Sequence, residues 1–129
     1  MRTASLTAAA ALFCAASPAF ATSGIHCHTR AGGLDIWLTV PNERGAGISN
    51  ARIVFGREEM YTEQGRDGPY ISQSAVNERR LSLGVALGRT RGVFLVLNAA
   101  RHGTPYRGSV VFRGRTWPVR CFWDEDDPE

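Results

Sequence analysis

Residues 92–123 read GVFLVLNAARHGTPYRGSVVFRGRTWPVRCFW. Three short apolar runs are separated by two turn signals, His102–Gly103 and Arg113–Gly114–Arg115. Apolar runs punctuated this way form an antiparallel meander. In the last run Trp117, Val119, Cys121 and Trp123 share one face, and Thr116, Pro118, Arg120 and Phe122 share the other, because strand side chains alternate. Cys121 therefore points with the aromatic bulk into a core. Pro118 lacks an amide donor, which predicts an edge position or a bulge at that point.

The same alternation runs through the rest of the chain. Cys27 faces inward with Ile25 and Thr29, leaving His26, His28 and Arg30 outside. Leu34, Ile36, Leu38 and Val40 line one face of a following strand, and Ala51, Ile53 and Phe55 one face of the next. Residues 58–69, EEMYTEQGRDGP, turn polar and read as the longest loop, with room for one short helical turn. Tyr70 to Ala75 and Arg80 to Leu87 are two more strands, joined by a turn at Asn77–Glu78. No helical pattern longer than two turns appears. The expectation is an all-β domain, a small antiparallel β-sandwich or β-barrel of about eight strands.

The first residues, MRTASLTAAAALFCAASPAFA, carry the three parts of a secretory signal. Arg2 gives the positive start, Leu6 to Ala16 the apolar run and Ala19-Phe20-Ala21 the small-x-small cleavage site. That run is well short of the ~20 apolar residues that span a bilayer. Residues 1–21 are therefore expected to be a cleaved signal peptide, residues 22–123 a single domain and residues 124–129 an acidic tail. Export places the protein in the periplasm or outside the cell, with no stable membrane insertion. Two cysteines remain, Cys27 and Cys121, and an even pair in a small exported domain forms a disulfide. It joins the first strand to the last.

All fifteen basic residues are arginine. Five of the twelve acids lie in DEDDPE at the end of the chain, so the body is strongly basic. A basic body attracts anionic surfaces. Arg107, Arg113 and Arg120, with Tyr106 among them, are the candidate binding residues. Arg beside an aromatic suits an anionic envelope component or a protein partner. Nucleic acid fits the charge, but export argues against it.

His26 and His28, two apart on a strand, point to the same side and are close enough to chelate zinc or copper. A third ligand would come from His102 or the acidic tail. No cofactor is implied otherwise. Catalytic signals are thin: there is no G-x-S-x-G, P-loop or H-E-x-x-H. Glu58, Glu59, Glu63 and Asp67 offer carboxylates beside Tyr61, but a catalytic pair needs fixed separation and partial burial. The functional expectation is a non-enzymatic exported domain with a binding or envelope-structural role; metal binding is the rival reading.

Small periplasmic lysozyme inhibitors are similar in architecture, combining a signal, a compact antiparallel barrel and a disulfide between early and late strands. That resemblance implies a further alternative, inhibition of an envelope-directed hydrolase. The Ser-Gly-x-x-Tyr type loop of those inhibitors is absent here, and a basic body has the wrong sign for gripping a basic lysozyme.

Overall fold

The computed structural model describes residues 22–30, 33–41, 47–62, 68–88, 93–101 and 103–126. The expected signal segment 1–21, His102, Glu63, Asp67 and the last three residues of the tail lie outside them. Nine strands follow in order: β1 Thr22–His28, β2 Leu34–Pro41, β3 Asn50–Phe55, β4 Glu58–Tyr61, β5 Pro69–Val76, β6 Arg80–Leu87, β7 Val93–Arg101, β8 Tyr106–Phe112 and β9 Arg115–Trp123. One 3-10 turn, Asp124–Asp126, closes the described chain.

The strands make one antiparallel sheet in the order β4-β3-β2-β1-β9-β8-β7-β6-β5. The sheet curls into a nearly closed barrel rather than a sandwich. Why it stays open at one seam follows from parity. With β1 antiparallel to β9 and every other ladder antiparallel, an odd strand count leaves β4 and β5 running the same way. A short connection cannot pair two parallel neighbours. The seam is bridged instead by a side chain, the Ile48 amide donating to Ser74 Oγ at 3.0 Å.

β4 corrects the sequence reading, which put Glu58–Tyr61 in a loop. Glu58 and Glu59 carry no apolar alternation, but an edge strand needs little of it, and charge there discourages pairing with other chains. The count rises from about eight to nine.

Inward residues fill the barrel. Ile25, Leu34, Ile36, Leu38, Ile53, Leu81, Leu83, Leu95, Leu97 and Phe112 are all essentially inaccessible to solvent. Phe55, Phe94 and Trp117 close one end around Phe112. The β8–β9 turn has positive φ at both central residues, 52° at Arg113 and 80° at Gly114, the twist-matched geometry of a two-residue hairpin.

Cys27 and Cys121 are directly opposite in the β1–β9 ladder and form a disulfide with a 2.08 Å S–S distance and Cα atoms 3.9 Å apart. So close a spacing marks the non-hydrogen-bonded kind of antiparallel pair. Hence the backbone groups of Cys121 point to β8, and those of Arg120 and Pro118 point to β1. The β1–β9 ladder ends at His28↔Arg120. Pro118 thus lies in a central strand without a bulge toward β8, where no β1 partner asks for its amide. That is the reason a proline is tolerated there, in place of the edge or bulge expected.

Candidate functional site

The disulfide register decides which outward side chains meet. One step along from Cys27↔Cys121 are His28↔Arg120, and beyond them Asp35 on β2 opposite His28 and Arg107 on β8 opposite Arg120. Asp35, His28, Arg120 and Arg107 therefore stand in one row on the outer face. Three inter-strand steps of ~4.8 Å make the row about 14 Å long. Arg107 and Arg120 form a non-hydrogen-bonded pair by the register above, the geometry that brings side chains closest.

Arg30 joins them from the turn after β1. That turn is pinned by Thr29, whose amide donates to the Leu34 carbonyl while Thr29 Oγ1 accepts from the Leu34 amide, both at 3.1 Å. His28, Arg30, Arg107, Pro118, Val119 and Arg120 line a cleft of about 410 Å³. Among the described residues, none of Arg30, Arg107 and Arg120 forms an ion pair with a carboxylate. Arg120 Nε is buried with no hydrogen-bond partner. An unmet donor on a cation is costly, and like charges directly opposite across a ladder repel. The fold lines one cleft with three arginines, none of them paired with a carboxylate among the described residues.

A second cleft of about 480 Å³ adjoins it, lined by His26, His28, Thr29, Arg30, Asp35 and Trp37. His26 Nε2 donates to Asp35 Oδ1 at 3.0 Å. The His26 ring stacks on Trp37 with centroids 4.5 Å apart, and the Arg52 guanidinium lies 4.7 Å over the same indole. His28 stacks on Phe122 at 5.9 Å. His26 and His28 are thus each held against a neighbouring ring.

The other expected residues fall elsewhere. Tyr106 is fully buried, donating its hydroxyl to the Asn77 carbonyl at 2.7 Å, so it supports the core and offers no binding surface. Its face is that of Val110 and Phe112, two and three positions of alternation along β8. Arg113 sits on the β8–β9 turn, roughly 20 Å along the strand from Arg120. Its guanidinium makes a two-pronged ion pair with Glu58, at 2.7 and 3.0 Å, and covers the Phe112 ring at 4.9 Å. Hydrogen bonding to Arg113 holds the Glu58 carboxyl below its ordinary range. Glu59 is likewise lowered by hydrogen bonds from Arg52 and Tyr61. A general acid requires the opposite shift, and these two carboxyls act as partners for arginine.

His26 and His28 do share a side, with ring centroids 5.3 Å apart. Among the described residues, however, no group of three His, Cys, Asp or Glu is placed to hold a metal ion. Asp124 from the tail stands at Gly24, where an added Cβ would lie 2.3 Å from its carboxylate oxygen. It is thus at the far end of β1 from His28.

No protein-family model, curated protein or solved structure matches the chain. No described helix is long and apolar enough to cross a membrane.

Proposed function

We propose that this protein is an exported, non-enzymatic β-barrel domain that binds an anionic group, carried by an envelope component or a partner, in the cleft of His28, Arg30, Arg107 and Arg120. The observation that carries this reading is the gathering of three arginines, one with a buried orphan donor, and no paired carboxylate among the described residues. A solvated arginine surface spreads its charges, whereas this one concentrates them on a concave wall. The signal-like segment 1–21 and the buried disulfide support placement in the periplasm or outside the cell.

Hydrogen bonds to charged groups contribute about 1.5–3 kcal/mol each when shielded and less when exposed. Two or three of them give a dissociation constant of roughly millimolar for a small anion, tighter for a repeating polymer through multivalency. The test is calorimetric titration of the oxidised mature protein with inorganic sulfate at low salt, beside Arg107→Gln/Arg120→Gln. Binding lost in the double variant supports the proposal. Equal heats from both proteins, or none from either, overturn it.

A further inference from the structure

The cationic cleft does not stand alone. It shares His28 and Arg30 with the second cleft, and the two are laid along one row of the outer face, from Asp35 at one end to Arg107 at the other. The two ends differ in chemistry. At one end are guanidinium groups that only donate hydrogen bonds; at the other is a carboxylate, Asp35, that only accepts them. A simple anion has use for the first end and is repelled by the second. A ligand that spans both carries an oxyanion and, about one ring-width away, groups that donate hydrogen bonds.

We propose that the site is bipartite and takes a phosphate or sulfate monoester of a sugar or similar polyol. The oxyanion lies among Arg30, Arg107 and Arg120, and the hydroxyl-bearing ring lies over Asp35. This rests on the anion-binding reading above and narrows it. A tetrahedral ester presents three terminal oxygens and can meet three guanidinium groups together, whereas a carboxylate presents two. Neither cleft is an isolated slot for an inorganic ion: at about 410 and 480 Å³ each has more than ten times one water's share of liquid, roughly 30 Å³. Pro118, exposed on the outer face, gives the cationic cleft an apolar edge on which the carbon skeleton beside the ester can rest. Trp37 is not available as a stacking platform, since His26 and Arg52 occupy its two faces. Recognition of the ring therefore falls to hydroxyl hydrogen bonds. Asp35 is the acceptor for them, with its side chain 38% accessible even while it holds His26.

The arrangement makes a prediction of sign. For inorganic sulfate, Asp35 is a nearby negative charge, so Asp35→Ala strengthens binding. For a sugar ester, the same substitution removes the hydroxyl acceptor and weakens binding. The experiment is calorimetry with the oxidised mature protein, using inorganic sulfate, inorganic phosphate, a hexose sulfate, a hexose phosphate and the free hexose. The expected result is that both esters bind about tenfold tighter than the corresponding inorganic ion, the worth of one hydrogen bond to a charged acceptor. In Asp35→Ala that ratio falls to about one while inorganic sulfate binds more tightly. Whether the hexose phosphate or the hexose sulfate binds better separates the two sources of the oxyanion. Esters and inorganic ions bound equally by the native protein, with Arg107→Gln/Arg120→Gln still abolishing both, overturn the bipartite site and leave simple anion binding intact. A failure of every anion to bind overturns both.

Discussion

Replacing Arg107 by glutamate should make the protein more stable and less able to bind. Arg107 is exposed and directly opposite the half-buried Arg120 on the adjacent strand. A like-charge pair in that position is unfavourable and an opposite-charge pair favourable, each by about 0.2–1 kcal/mol. Arg107→Glu exchanges one for the other, a swing of about 0.5–2 kcal/mol. It also puts an acceptor beside a guanidinium whose Nε has none. For a domain of this size, each kcal/mol moves Tm by roughly 4–8 °C. Thermal denaturation of the oxidised protein at low salt should therefore show Tm higher by about 2–16 °C, with the gain shrinking as ionic strength shortens the screening length. Sulfate binding should be abolished in the same variant. Stability gained by removing function marks a functional site rather than a solvated surface. A variant with unchanged or lower Tm that still binds sulfate would show that Arg107 and Arg120 neither repel one another nor form the anion site.

Cys27→Ser, which leaves Cys121 unpaired in a buried position, should lower unfolding stability by roughly 2–5 kcal/mol, read by denaturant titration. Gly108→Ala should destabilise by about 1–3 kcal/mol, because its Cβ would lie 2.0 Å from the Asn98 carbonyl oxygen, a backbone atom that cannot move aside; melting curves check it. Glu58, held low by hydrogen bonding to Arg113, contributes stability that is fully present above its unfolded pKa and lost as pH falls through the lower folded value. Glu58→Gln should accordingly reduce Tm slightly at neutral pH and not at all in strong acid, which a series of melts resolves. Micromolar zinc should leave Tm unchanged, since His26 is bonded to Asp35 and the tail carboxylate stands at Gly24; a rise abolished by His28→Ala would instead establish a metal site.

Alternation of side chains was enough to place Cys27 and Cys121 inside and to find eight of the nine strands. β4 was not legible, because Glu58 and Glu59 on an edge strand obey charge and pairing rules rather than a hydrophobic pattern. The arginine site was legible only in part. Counting arginines along the final meander joined Arg107, Arg113 and Arg120, which are close in sequence but not in space. The register was the missing step. Laying Cys27 against Cys121 puts His28 beside Arg120 and Arg120 beside Arg107, and outward alternation from His28 leads to Arg30. Arg113, at the opposite end of the hairpin, drops out by the same logic. Tyr106 could have been excluded by its shared face with Val110 and Phe112. Asp35 and Trp37 had no sequence signal of their own; their place beside the histidines comes from the β1–β2 pairing.

The most direct test of the anion site is an NMR titration of residues 22–129, with the disulfide oxidised, against inorganic sulfate at low salt, following backbone amide and arginine side-chain signals. Saturable shifts are expected at His28, Arg30, Arg107 and Arg120, and none at Arg113, which is committed to Glu58. Shifts of equal size at every arginine, or centred on the Arg113–Gly114 turn, would contradict that expectation.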